Sequence, residues 1–190
     1  VDIKISNRNK EEINSFVDQM YERFKNNIYS RNDSSIETII VKNCIKQRKK
    51  LAVAESCTGG LIGDRITNVS GSSEIFRGGV IVYSNESKVK ILGLNDKALD
   101  QFGAVSKDTA KNMAENVKVM FNSSFGLSVT GIAGPSGGTK EKPVGLVYVG
   151  LASDKSTIVN KFNFGKGREI NKIKTSQAAL NILRKSLLNE

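Results

Sequence analysis

Apolar residues recur along this chain at two spacings, one suited to helices and one to strands. Ile13, Phe16, Val17, Met20, Tyr21 and Phe24 fall three or four apart, which predicts a helix with one apolar stripe. Asn9 stands where an N-cap would, and Glu11 and Glu12 suit a first helical turn. Before it, Val1-Asp2-Ile3-Lys4-Ile5 alternates apolar and polar, as a half-buried strand does. After it, Asn27-Ile28-Tyr29 reads as a short extended piece. Such a strand-helix-strand unit is too small for a core of its own. The polar run Ser30-Arg31-Asn32-Asp33-Ser34 predicts a boundary, so residues 1–33 form an appendage and 34–190 the main domain.

Beyond the boundary, helices alternate with apolar strands. Ser35 suits the cap of a helix carrying Ile36, Ile39, Ile40 and Ile45 on one face. Leu51-Ala52-Val53 predicts a strand, followed by the polar turn Ala54-Glu55-Ser56-Cys57-Thr58-Gly59-Gly60 and the amphipathic run from Leu61 to Ile66. Gly79-Val80-Ile81-Val82-Tyr83 is a second strand. A helix from about Glu86 then turns Val89, Ile91 and Leu92 inward. Ser106 opens a capped helix through Met113, Val117 and Met120. Gly126-Leu127-Ser128-Val129 is a strand entering a loop rich in glycine, from Thr130 to Gly138. Val144 to Leu151 and Ile158 to Phe164 pair as strands. A final helix carries Ile173, Ala178, Ala179, Leu180, Ile182 and Leu183. The expected fold is α/β, with a mixed, mostly parallel sheet covered on both faces. The turns at Ser56, Tyr83 and Thr130 each end a strand. In an open α/β sheet such ends gather at one edge, where ligands bind.

Composition narrows this picture. At 190 residues the chain holds one α/β domain with a small addition. A net charge of +10 comes from dispersed lysines, apart from Gln47-Arg48-Lys49-Lys50. With no Trp and no basic stripe interleaved with aromatics, a solvated surface is favoured over specific nucleic-acid binding. No apolar run approaches the roughly 18 residues of a membrane span, and the first residues lack a signal peptide's apolar core. A cytoplasmic protein without membrane contact is expected. The first residue is Val1 rather than methionine, so a cut or processed chain is expected. Cys44 and Cys57 have no metal-ligand spacing and are expected as reduced thiols. With no histidine and no carboxylate cluster at metal spacing, no metal site is expected.

The missing histidine also bounds the chemistry. Ser56, at a strand-to-helix turn, reads either as a helix N-cap or as a nucleophile. Cys57 is a rival nucleophile or a small buried thiol. A serine nucleophile here needs a base other than imidazole. Lys88 can serve if burial or a neighbouring cation lowers its pKa; otherwise it is a solvated helix lysine, and Lys90 competes for the role. Tyr83 could relay a proton or hold the lysine, or be a strand-end ring with a wet hydroxyl. The Thr130–Gly138 loop is either an anion nest or a connection. It is not a Walker A loop, because no Gly-Lys-Ser/Thr closes it. Arg168 stands near the start of the last helix, where the dipole does not favour a cation. A phosphate or carboxylate ligand would account for it, as would a plain surface arginine.

Taken together, these segments resemble the CinA C-terminal-domain family, also called the PncC family. The matching stretches are Ala54-Glu55-Ser56-Cys57-Thr58-Gly59-Gly60, Gly78-Gly79-Val80-Ile81-Val82-Tyr83-Ser84-Asn85 with Lys88, and Leu92-Gly93. They continue in order with Gly103-Ala104-Val105-Ser106, Thr130-Gly131-Ile132-Ala133-Gly134-Pro135, and Phe164-Gly165 with Arg168-Glu169. The resemblance implies a three-layer α/β/α sandwich that hydrolyses the carboxamide of nicotinamide mononucleotide without metal or organic cofactor. It implies Ser56 as nucleophile, Tyr83 and Lys88 in its activation, and a homo-oligomer. It also implies substrate contacts at Thr58, Gly59, Gly60, Ala104, Ser106, Thr130, Gly131, Gly134 and Arg168. Residues 1–33 resemble the end of a KH-like module that precedes this domain in longer CinA proteins. They lack its Gly-X-X-Gly loop, so RNA binding is not implied. Two other readings stand beside the deamidase: a non-catalytic nucleotide-binding or regulatory module, and a weaker role in DNA uptake or recombination.

Overall fold

The computed structural model describes residues 3, 5–31, 33–165 and 167–188, and the chain divides into two compact units, Val1–Ser35 and Ile36–Glu190. In the first unit, α1 (Lys10–Phe24) starts where its cap predicts: Asn9 Oδ1 accepts from Glu11 N at 2.9 Å. The Asn7 and Asn9 side-chain amides both donate to the Glu12 carboxylate. At the far end the Arg31 guanidinium lies 4.0 Å from the Tyr21 ring centroid. The strand expected over Val1-Ile5 rests largely on residues outside those described; of the extended piece expected at Asn27-Ile28-Tyr29, Ile28 is extended and Asn27 closes a 3-10 turn instead. Val1, Asp2 and Lys4 lie outside the described residues. Lys25–Asn27 form a 3-10 turn, and no strand of this unit is paired among the described residues. No residue of α1 is buried, so it offers the extended piece that follows it no core to pair over.

The second unit is an α/β/α sandwich. Its elements in order are α2 (Ile36–Lys46), β1 (Leu51–Glu55), α3 (Leu61–Thr67), β2 (Phe76–Ile81), α4 (Asn85–Leu92), α5 (Asp96–Phe102), α6 (Lys107–Met120), β3 (Phe125–Gly131), β4 (Leu146–Ala152), β5 (Thr157–Asn163) and α7 (Arg168–Leu188). The sheet order is β2-β1-β3-β4-β5. β2, β1 and β3 are parallel neighbours, and β4 runs antiparallel to both β3 and β5. The carboxyl ends of β1, β2, β3 and β5 therefore gather at one edge.

Side-chain alternation divides the two faces. Ala52, Ala54, Gly126, Ser128 and Gly150 form a small-residue face on which α6 lies, flanked by α4 and α5. The approach is close. Ser128 Oγ donates to Ala110 O at 2.6 Å, and a Cβ at Gly126 would collide with Ala114 O. Leu51, Val53, Phe125, Leu127 and Val129 face the other way, toward α2, α3 and α7. There Arg65 ties three helices together: its guanidinium donates to Glu37 of α2 and to Ser176 and Gln177 of α7.

Some inward positions differ from the apolar pattern. Ile91, Met120 and Ile173 are exposed, and Ile45 lies just at the exposed side. In α4 the inward positions are Lys88 and Leu92; in α7 they include Asn171, Thr175 and Ser176. Buried polar residues take the stripe near the sheet edge and rotate the apolar ones outward. Short α5 was not anticipated; Leu99 is its one buried side chain among those described, too little for a periodic signal. The close α6 contact sets a sharp expectation. Gly126→Ala forces α6 away from β3 and should cost about 1–3 kcal/mol in urea unfolding, with an unchanged m-value.

Candidate functional site

Chain segments distant in sequence converge at the sheet's carboxyl edge. Ser56 follows β1, and its N–H donates to Val129 O at 3.1 Å, continuing the β1–β3 pairing by one residue. Its side chain meets Lys88, which projects from the first turns of α4. Ser84 caps that helix in a reciprocal box with Ser87, and Gly93 closes it in the left-handed conformation. Helical side chains lean toward the N-terminus, so Lys88 reaches back over the end of β2. Its Nζ donates to Val82 O at 2.9 Å, lies 3.4 Å from Tyr83 O and Ser84 O, and stands 3.3 Å from Ser56 Oγ.

This lysine is only 1% exposed, and among the described residues no carboxylate pairs with it. Burial lowers its pKa below the ordinary value of 10.5. The positive end of α4 acts in the same direction. Neighbouring Cys57 acts the other way but more weakly than burial; its own thiol is buried, and desolvation pushes its pKa up to about 12, so it stays protonated at neutral pH. The geometry thus joins a serine hydroxyl that is 7% exposed to an amine poised toward its neutral form. Lys90, the competing lysine, pairs instead with Glu86 at 2.7 Å on the exposed side of α4.

Ser56 makes no cap to α3. That place belongs to Glu55, which sequence reasoning passed over. Its carboxylate is 1% exposed and accepts from Gly60 N at 3.1 Å, Ile62 N at 3.1 Å and Gly63 N at 2.8 Å. The start of α3 is therefore filled by an internal anion. Gly59 and Gly60, with φ of +63° and +98°, provide the left-handed backbone that wraps the turn around this carboxylate. Thr58 is fully buried, and its Oγ1 has no hydrogen-bond partner among the described residues.

The other expected residues divide by what already holds them. Tyr83 is 57% exposed, and its hydroxyl accepts from Arg168 Nη2 at 2.7 Å; toward Lys88 it presents its backbone carbonyl. Arg168, the first residue of α7, also donates from Nη1 to Gly134 O at 2.9 Å. Thr130 Oγ1 donates to Ala104 O at 2.7 Å, joining the end of β3 to the segment before α6. Ser106 caps α6, its Oγ accepting from Thr109 N. Gly131 admits no Cβ, because Leu146 O would lie 2.7 Å from it, and Gly134 turns the loop at a φ of +87°. Asn171, also unanticipated, is buried and donates to Ala133 O at 2.9 Å and Gly165 O at 3.2 Å, pinning two loops to α7. One turn along from Arg168, half-buried Lys172 reaches the glycine turn: its Nζ is 3.9 Å from where a Cβ on Gly59 would be. Nothing local in the sequence marks these three; only their place at the edge does.

Among the described residues no His, Cys, Asp or Glu cluster could hold a metal ion, and no helix is long and apolar enough to cross a membrane. Residues 33–187 match the family model described as the CinA C-terminal domain. The chain belongs to that family. A relative from Thermoanaerobacter sp. (strain X514), named for competence-damage induction, is 47% identical over 181 residues, covering 93% of this chain and 44% of its own length. The chain thus spans less than half the length of that relative. The solved structure of competence/damage inducible protein CihA from Agrobacterium tumefaciens superposes with a TM-score of 0.76 at 35% identity, covering 85% of this chain and 99% of that one. A CinA superfamily protein from Klebsiella pneumoniae, 22% identical with a TM-score of 0.79, shares the fold, covering 82% and 97% of the two chains.

The Glu55 cap gives a direct expectation for this CinA domain. Glu55→Gln keeps the shape but replaces an anion at three N–H groups with an amide that also brings its own donors. The loss in urea unfolding should be about 2 kcal/mol or more at neutral pH.

Proposed function

We propose that this domain hydrolyses the carboxamide of nicotinamide mononucleotide, giving nicotinate mononucleotide and ammonia, through an acyl-enzyme on Ser56 with Lys88 as base. The observation that carries the reading is the 3.3 Å approach of a buried, carboxylate-free Lys88 Nζ to Ser56 Oγ. A neutral amine can donate its two hydrogens to the carbonyls of residues 82–84 and accept the Ser56 proton on its lone pair.

In the first half-reaction Ser56 Oγ attacks the carboxamide carbon while its proton passes to Lys88 Nζ. The oxyanion needs donors. In the turn, Ser56 N, Gly59 N and Gly60 N are held by Val129 O, Ser56 O and Glu55. The N–H groups of Cys57 and Thr58 are committed to no carbonyl or carboxylate among the described residues, and they are our assignment for this role. Such a donor contributes about 3–4 kcal/mol to acyl transfer. When the C–N bond breaks, Lys88 returns the proton to the leaving nitrogen and ammonia departs. A water then adds to the nicotinoyl ester, giving its proton to Lys88, and the C–Oγ bond breaks as Ser56 is reprotonated. Tyr83 contributes its carbonyl to Lys88 and its hydroxyl to the placement of Arg168. The guanidinium N–H groups that Gly134 and Tyr83 do not use are available to the substrate phosphate, which orients the amide without reacting.

Ammonia release by the purified chain tests the reading. Ser56→Ala should reduce turnover by on the order of 10³ or more while the mononucleotide still binds. Lys88→Ala should lose about a hundredfold or more. Lys90→Ala should retain activity, and equal losses at the two lysines would remove Lys88 as base. Saturable binding without ammonia from the unmodified chain would favour a nucleotide-binding module.

The pH profile gives a second expectation. A protonated Lys88 cannot accept the serine proton, so kcat/KM rises as pH rises through its folded pKa. The midpoint of that limb should lie below 10.5, because burial disfavours the ammonium. A profile without a basic limb would point to another base.

A further inference from the structure

We infer that Lys142 is a positioning residue, a latch that holds the loop between β3 and β4 against the end of α5. The latch stands on its own geometry; that it serves substrate binding rests on the deamidase reading.

The loop leaves β3 at Ile132 and joins β4 at Leu146. Its two ends are closed on each other: Ile132 N donates to Leu146 O at 2.9 Å, and Gly145 N to Ile132 O at 2.8 Å. Its outer part, residues 135–141, is exposed throughout and includes Gly137 and Gly138. Such a stretch has much conformational freedom to lose, so its place depends on what ties it down. The outer turn is closed locally, by Thr139 N donating to Lys142 O at 2.8 Å and Lys142 N to Thr139 Oγ1 at 3.0 Å. Among the described residues, one hydrogen bond carries residues 135–143 to a distant part of the chain. Lys142 Nζ donates to Phe102 O at 3.0 Å, across 40 residues of sequence.

The receiving carbonyl suits this role. Phe102 is the last residue of α5, so its oxygen has no partner within the helix. Gly103 follows at a φ of +80°, and a Cβ there would lie 2.8 Å from the ammonium. Glycine therefore leaves the approach open. The next two carbonyls are also taken by side chains from elsewhere. Gly103 O accepts from Thr109 Oγ1 at 2.8 Å, and Ala104 O from Thr130 Oγ1 at 2.7 Å. Three successive carbonyls, 102 to 104, thus accept from the β3–β4 loop, α6 and β3. At the loop's other end, Gly134 O accepts from Arg168. Lys142 therefore couples the segment before α6 to the loop that seats Arg168. Its own hydrogen bonds reach neither Ser56 nor Lys88. Without the latch the loop can swing about its closed ends, and Gly134 and the 102–104 segment lose their fixed spacing. Substrate binding weakens, while the reacting pair keeps its geometry.

Two readouts of Lys142→Ala test this, and the first needs no turnover. Native-state trypsin cleavage after Lys140, an exposed lysine of the loop, should become about tenfold faster, the ratio that one charge-assisted hydrogen bond of ordinary strength controls. Cleavage after Lys155, in the exposed turn between β4 and β5, should not change. The bond after Lys142 precedes Pro143, so the substitution removes no site that trypsin cuts. Unchanged cleavage at Lys140 overturns the latch. Equal acceleration at Lys140 and Lys155 does so too, because it reports a general loss of stability. In the ammonia assay, KM for nicotinamide mononucleotide should rise about fivefold with kcat within about twofold. Lys142→Arg keeps a donor for Phe102 O and should restore most of both readouts. Faster cleavage with an unchanged KM, or with kcat lowered instead, overturns the positioning role. In a chain that binds the mononucleotide without releasing ammonia, the deamidase reading falls alone, and the same fivefold weakening is read in Kd. A chain that neither turns over nor binds the mononucleotide overturns the positioning role along with that reading, and the cleavage ratio still decides the latch.

Discussion

The site is built around the Glu55 carboxylate buried at the start of α3. Three backbone N–H groups converge on it, so the turn between β1 and α3 has little freedom to rearrange. Helix starts leave several N–H groups without partners, and a side chain usually meets them from the residue just outside. Here the partner comes from the last residue of the strand. That choice releases Ser56 from capping duty. Because side chains alternate along a strand, Glu55 goes to the α3 face and Ser56 follows toward α4. One carboxylate therefore decides which side of the sheet receives the hydroxyl.

Lys88 meets it there through a second local device. The Ser84–Ser87 box fixes where α4 begins, and the lean of helical side chains sends the lysine back over the strand end. Placed four residues after the cap, the ammonium would lie in the positive end of the helix field and out of water. Both conditions favour the neutral amine. The small-residue face under α6 matters to this arrangement as well. Ala52, Ala54 and Gly126 bring the helical layer close to the sheet, so the amine is enclosed by protein.

The start of α7 completes the edge. A helix N-terminus bearing Arg168 and Lys172 works against its own dipole, and the two cations resolve that differently. Arg168 spends donors on Gly134 and Tyr83, joining parts of the chain 34 and 85 residues away. Lys172 stays beside the glycine turn. Asn171 between them locks the adjoining loops, so the cations project from a firm base. Buried polar residues here displace Ile173 outward. That is why the apolar pattern of this helix pointed slightly away from its true inner side.

Local chemistry within the sequence was enough to determine the strand-to-helix turns, the caps at Asn9 and Ser106, and the alternation of strands with helices. Each depends on residues within a turn or two. The lack of histidine by itself bounds the choice of a base. Tertiary structure alone decided that Glu55 rather than Ser56 caps α3, that Lys88 and not Lys90 faces Ser56, and that Tyr83 offers its carbonyl to one cation and its hydroxyl to another. It also placed Asn171 and Lys172 at the edge. The reason is that neither burial nor a partner 30 to 85 residues away is encoded in any short window. A lysine's pKa and an arginine's partner become defined only when sheet order and helix packing set which groups lose water together.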